Sequence, residues 1–219
     1  MRFRDRLDAG RRLATALGAY AKQEPIVLAL PRGGVAVAAA VAHALGVPLD
    51  LVLVRKIAAP EHPELALGAV VDGGAPTTVR NRELQVMSGT STTKFDAIRA
   101  RELAEIERRR SLYLGKRPPL DVAGRLVIMV DDGIATGATV CAALRATRRR
   151  GPAKLVLAVP AASPVALASL RSEADDVVCL ASPRGFRSVG DFYDDFRQMT
   201  DQDVVVLLQG QPAEPVSPP

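Results

Sequence analysis

Runs that are apolar apart from Asp50 and Asp176, at residues 26–30 (IVLAL), 49–54 (LDLVLV), 126–130 (LVIMV), 155–159 (LVLAV) and 176–180 (DVVCL), predict buried strands. Stretches with helical spacing lie between them. Leu7, Ala14 and Leu17, with Leu13 and Tyr20 beside them, predict a first helix within 4–22. An Ala/Val helix over 35–45 stops at Gly46, and one over 137–150 stops at Gly151-Pro152. Shorter helices are expected at 164–170 and from Asp201. Strand and helix in alternation predict an α/β fold with a mostly parallel sheet covered on both faces.

The middle of the chain is less regular. Residues 57–74 hold Pro60, His62, Pro63 and several glycines. They predict a loop, a short strand at 67–71 and a hairpin through Asp72-Gly73-Gly74. A long polar helix is predicted over 93–114, where Arg101, Glu105 and Arg109 stand four apart. Its Arg108-Arg109-Arg110 run reads as a solvated face. The 219 residues suit one domain, taken as 1–210, with 211–219 as a disordered tail. No apolar run reaches the ~18 residues of a membrane span. The N-terminal MRFRDRLDAGRR lacks the apolar stretch of a secretory signal. Cys141 and Cys179, the only two cysteines, make neither a disulfide framework nor a zinc knuckle, which points to a reducing, cytoplasmic compartment. The net charge of +5 is carried by arginine, since only five of the 29 basic residues are lysines. Such a surface is either plainly solvated or recruits anions: phosphates, nucleotides or nucleic acid.

Residues 127–139, VIMVDDGIATGAT, carry the chemistry. A strand ends in two acids, and a loop of small residues then opens a helix. Ligands of open α/β sheets bind outside the carboxyl ends of the strands. Ala135, Thr136, Gly137, Ala138 and Thr139 offer backbone N–H groups and two hydroxyls at a helix N-terminus, which is a phosphate cradle. Asp131 and Asp132 would repel a phosphate set directly against them. They suit a sugar diol, or a Mg²⁺ ion bridging ligand oxygens. Together the two halves describe a ribose phosphate. Arg32-Gly33-Gly34 after the first strand and Arg55-Lys56 after the second add cations on the same rim, where glycine permits close backbone approach. Neither a G-x-x-x-x-G-K-[ST] nor a G-x-G-x-x-G motif is present, which argues against ATPase and dinucleotide readings.

VIMVDDGIATGAT resembles the 5-phosphoribosyl-1-diphosphate (PRPP) signature of the type I phosphoribosyltransferases. LPRGGVAVA resembles that family's pyrophosphate loop, and VRK its second pyrophosphate contact. The resemblance spans residues 26–180. It implies a Rossmann-like sheet, a flexible loop over the site and a small hood that selects the nucleophile. Asp131 and Asp132 would meet the ribose hydroxyls directly or through Mg²⁺, and Ala135 to Thr139, in the loop that begins at Gly133, would hold the 5-phosphate. Arg32, Gly33 and Gly34 would hold pyrophosphate, in a loop that often has a non-proline cis peptide. Lys56 and Arg55 would meet the leaving pyrophosphate. The implied reaction is transfer of phosphoribose from PRPP to a nitrogen nucleophile, a small molecule such as a nucleobase. Arg32, Lys56 and Mg²⁺ would be the catalytic cations, Asp131 and Asp132 the catalytic acids. Residues 58–74 are the candidate lid, where His62 reads as plain surface. Family members are commonly dimers, and a homodimer is expected.

Two departures bear on the acceptor. The hypoxanthine/guanine members carry an acid where this chain has Ala135, so a 6-oxopurine is disfavoured. Adenine-type and uracil-type members both have alanine there. Phe186, Phe192, Tyr193 and Phe196 are four of the eight aromatic residues. Phe186 and Tyr193 are candidates to stack on a base, or the four form an apolar cluster that anchors the C-terminal segment. The alternative to an enzyme is a PRPP-sensing regulator that binds nucleic acid. No helix-turn-helix signature supports it, and Glu102, Glu105 and Glu107 balance the arginines of the long helix.

Overall fold

The computed structural model describes residues 1–72 and 76–210. In chain order the elements are α1 (Arg6–Ala16), β1 (Ile26–Ala29), α2 (Gly33–Leu45), β2 (Leu49–Leu51), β3 (Val54–Ala59), β4 (His62–Val71), β5 (Thr77–Arg80), α3 (Arg82–Met87), α4 (Thr92–Leu114), β6 (Leu126–Val130), α5 (Ala138–Arg148), β7 (Lys154–Ala161), α6 (Pro164–Leu170), β8 (Asp176–Ala181) and α7 (Asp201–Gln209).

The expected parallel sheet is present, with five strands in the order β2-β1-β6-β7-β8. Side chains alternate across it with the strand period of two. Val27, Ala29, Ile128, Val130, Val156 and Ala158 belong to the core shared with α1 and α2. Ile26, Leu28, Val127, Met129, Leu155 and Leu157 belong to the opposite core, under α5 and α6. Both faces of β1, β6 and β7 are therefore covered, whereas the edge strand β8, expected to be buried as well, is only half-buried along its length. The helix ends follow ordinary capping chemistry. Asp5 caps α1, Ser91 caps α4, and Thr200 with Asp203 forms a capping box on α7.

The run at 49–54 is not one strand. β2 ends at Leu51, and β3 starts a second, antiparallel sheet ordered β3-β4-β5. The reason is a partner from later in the chain. The Leu53 N–H donates to the Asp72 carboxylate at 2.7 Å, so the chain leaves the parallel sheet there. The segment expected to be a loop and lid is also built into strands. Pro63 hid this from pattern reading, because it falls between the Ala59–His62 and Ala58–Ala66 pairs, where the register slips. The turn expected at Gly73-Gly74 and the tail at 211–219 lie outside the described residues. The sequence pattern also missed α3.

Arg108-Arg109-Arg110 is only partly a solvated face. Arg108 and Arg109 both donate to Glu105 and hold its carboxyl down at about 2. Arg110 instead turns inward to Asp72 at 2.8 Å. It ties α4 to the junction of the two sheets. Burial pushes the Asp72 carboxyl up to about 6, against the pull of the Leu53 N–H and Arg110. An acid whose folded pKa is raised stabilises fully below its unfolded pKa of about 4, and that stability is lost as pH rises through 6. The Asp72→Asn amide does not titrate, and its poor fit to Arg110 costs the same at every pH. Between pH 5 and 7 the variant is expected to gain stability relative to the parent, by about 1.3 kcal/mol. Urea unfolding at several pH values measures this. A pH-independent difference contradicts it.

Candidate active site

β1 and β6 are neighbours, with Ala29 opposite Val130. From β1 the chain runs through α2 to β2 on one side. From β6 it runs through α5 to β7 on the other. The crevice between their carboxyl ends is the sheet's topological switch point. Both expected ligand loops open there, and each leads into a helix N-terminus.

The two loops interlock. A Cβ added to Gly33 would stand 1.8 Å from Asp132 Oδ2, and one added to Gly34 would stand 3.0 Å from Asp131 Oδ1 and from the Val130 carbonyl. Glycine at these positions lets the arginine loop lie against the acid pair. The Pro31–Arg32 peptide is cis. The Arg32 guanidinium, about a third exposed, stands 3.8 Å from Asp201 at the start of α7. Asp201 also accepts the Tyr113 hydroxyl of α4 at 2.6 Å.

The two acids differ in environment. Burial, and after it the charge of Asp132, pushes the Asp131 carboxyl well above the usual carboxylate range. Asp132 is paired with Arg6 of α1, whose Nε donates to Oδ2 at 2.7 Å. Among the described residues no group of three or more His, Cys, Asp or Glu side chains could hold a metal ion. Asp131 and Asp132 are thus a two-carboxylate donor set. Magnesium suits such a set when substrate oxygens and water complete its shell.

The loop after the acids is held at both ends. Ile134 is fixed by its N–H to the Ala161 carbonyl at 2.9 Å. Gly137 caps α5 with φ of 81°, and the helix ladder starts with the Cys141 N–H donating to the Gly137 carbonyl. The five N–H groups from Ala135 to Thr139 make no hydrogen bond among the described residues. Thr136 and Thr139 are exposed.

Arg55 and Lys56 part company. Both lie on β3 rather than at the end of a strand of the main sheet. Arg55 donates to the buried Glu102 of α4 at 2.8 Å, which makes it a pin between β3 and α4. Lys56 is exposed and has no ion-pair partner among the described residues. It lines a cleft of about 550 Å³ with Arg80, Arg82, Ala138, Thr139 and Arg145. That cleft joins the second sheet to the first turn of α5, and Arg32, Asp131 and Asp132 do not line it.

Tyr193 is not offered to a base. Its ring is buried between Phe3 and Phe196, with centroids 5.5 and 4.8 Å away. Its hydroxyl donates to the Asp132 carbonyl at 2.6 Å. Burial and then the Asp132 charge raise that hydroxyl's pKa, so it stays a donor. Phe186 is half-buried and stacked on Phe192. The aromatic residues of this segment form the anchoring cluster, and the buried Tyr193 is part of it.

The sequence profile of the phosphoribosyl transferase domain matches residues 4–196, which takes in every loop described above. The chain belongs to this family. It is 43% identical over 208 residues to Rv0571c of Mycobacterium tuberculosis, named provisionally as a phosphoribosyl transferase. The match covers 94% of the chain and 46% of that protein, so the chain spans about half the length of the curated relatives it matches. A solved structure, TT1426 from Thermus thermophilus, is 44% identical. That match covers 97% of this chain and 100% of the other, with a TM-score of 0.84. No helix among the described residues is long and apolar enough to cross a membrane. Pattern reading missed Arg6, Glu102 and Phe196, which all act through distant partners and carry no local signature.

Proposed function

We propose that this protein transfers 5-phosphoribose from PRPP to a nitrogen nucleophile, with release of pyrophosphate. One observation carries the reading. Two residues after a pair of adjacent carboxylates, at the switch point of the sheet, five successive backbone N–H groups have no partner among the described residues. The N–H groups suit a phosphate, and the carboxylates suit the hydroxyls one sugar ring away.

Breaking the C1–pyrophosphate bond leaves positive charge on the sugar and negative charge on the leaving group. Arg32 and the exposed Lys56 answer the second charge as it develops. Asp131 and Asp132 orient the ring through its hydroxyls. Magnesium, held by these carboxylates and by substrate oxygens, would supply further neutralisation of the pyrophosphate. Water must be excluded for the nitrogen to compete, and the hairpin of β3 and β4 is the element that would cover the site. At position 135, just ahead of Thr136, the methyl of Ala135 cannot move a proton, so we infer an acceptor other than a 6-oxopurine, most simply another nucleobase. We expect a homodimer. The arginine run of α4 does not favour the nucleic-acid reading, because Arg108 and Arg109 pair with Glu105 and Arg110 with Asp72.

Calorimetric titration with PRPP tests the proposal. Saturable binding with Mg²⁺, weakened by EDTA and lost in Asp131→Asn/Asp132→Asn, is expected. Absence of PRPP binding by the parent protein contradicts it.

A further inference from the structure

We propose that Arg6, at the start of α1, is a positioning residue for the sugar-binding carboxylate of Asp132. The inference rests on the ribose-phosphate reading of residues 131–139.

The pair is not an ordinary surface contact. Its side chains are only 11% and 16% exposed. Three restraints fix the guanidinium. Nε donates to Asp132 Oδ2 at 2.7 Å, and one terminal nitrogen donates to the Arg197 carbonyl at 2.9 Å. The plane lies 4.0 Å from the centre of the Phe196 ring. Phe196 in turn stacks on Tyr193, with an interplanar angle of 24°. Tyr193 closes the circuit by donating to the backbone carbonyl of Asp132 itself. One stack of side chains thus grips both the carboxylate and the carbonyl of a single residue. Gly33 lies close against the same pair: a Cβ there would stand 1.8 Å from Asp132 Oδ2 and 3.1 Å from Arg6 Nε.

The ends of the chain build this grip together. The Phe3 N–H donates to the Phe192 carbonyl at 2.8 Å, and the Asp194 and Asp195 N–H groups donate to the Phe3 and Arg4 carbonyls. Arg6 and Phe196 are therefore brought face to face by backbone pairing. With Oδ2 committed to Arg6, the Asp132 side chain keeps one rotamer, and its Oδ1 stays directed at a sugar hydroxyl. A carboxylate free to rotate would lose that orientation on every encounter.

The test uses two probes, ribose 5-phosphate and inorganic phosphate, titrated calorimetrically with Mg²⁺. The ratio of their affinities reports what the sugar adds. In Arg6→Ala the ratio should fall about tenfold, as expected for losing one charge-assisted hydrogen bond, while phosphate affinity stays unchanged. In the Asp132→Asn background, Arg6→Ala should change nothing further, because the two act as one unit. Arg6→Lys should recover part of the ratio. Should Arg6→Ala fail to fold, Phe196→Leu removes the stack and is expected to lower the ratio in the same direction. An unchanged ratio, an equal loss for both probes, or additive effects with Asp132→Asn would overturn the role of Arg6. A parent protein with no preference for ribose 5-phosphate would instead overturn the reading of residues 131–139, and the inference with it.

Discussion

Gly33→Ala is expected to cost the protein its ribose 5-phosphate affinity. The added Cβ would lie 1.8 Å from Asp132 Oδ2, 2.5 Å from Asp132 Cγ and 3.1 Å from Arg6 Nε. A long, loose side chain would swing aside. The Asp132 side chain is short and held from behind by Arg6, so either the carboxylate turns out of its ion pair or the arginine loop lifts away from β6. Both outcomes separate Asp132 from the Arg32 loop. Overpacking of this kind costs about 1–3 kcal/mol of stability. Affinity for ribose 5-phosphate should fall by at least about tenfold. Gly185→Ala is the control, since a Cβ there meets nothing within 4 Å. Urea unfolding and calorimetric titration of both variants measure the two effects. A Gly33→Ala protein indistinguishable from the control would mean that the interlocked loops are not what organises the site.

Arg55→Ala and Lys56→Ala should fail in opposite ways although they are adjacent. Arg55 pairs with Glu102, whose side chain is only 7% exposed. Its removal leaves that carboxylate with Arg101 alone, which is mostly exposed and holds it at 3.1 Å. A loss of about 2 kcal/mol is expected, below the range for a fully buried pair because Arg55 is itself a third exposed. Lys56→Ala removes an exposed cation, so stability should stay within about 0.5 kcal/mol. Pyrophosphate affinity should fall instead, and transfer should slow by about a hundredfold or more. Thermal unfolding and pyrophosphate titration of both variants decide this. The reverse pattern would move the pyrophosphate contact from Lys56 to Arg55.

The sequence announced the scaffold because burial on both faces demands unbroken apolar runs, and such runs are visible one residue at a time. β1, β6, β7 and β8 appear within one or two residues of their expected limits. The acid pair and the small-residue loop were legible for a similar reason: the chemistry is contiguous, from Val127 to Thr139. What pattern reading lost depends on partners far along the chain. The break after Leu51 is made by Asp72, whose carboxylate takes the Leu53 N–H. Arg55 looked like a ligand residue until Glu102 was seen across from it. Tyr193 looked like a stacking surface, yet folding spends both its ring and its hydroxyl on Asp132 and its neighbours. Arg6 gave no signal among the arginines of the N-terminal segment, because its role needs Asp132 and Phe196 placed beside it.

The most direct test of the central claim is pyrophosphate release from PRPP with Mg²⁺. The acceptor panel is adenine, hypoxanthine, guanine, xanthine, uracil, orotate and nicotinate, with Asp132→Asn as control. Release that depends on one of these acceptors, favours a base other than the 6-oxopurines and disappears in Asp132→Asn is the predicted result. Release with no acceptor dependence, or turnover that survives in Asp132→Asn, would contradict the assignment of the acid pair and the transfer built on it.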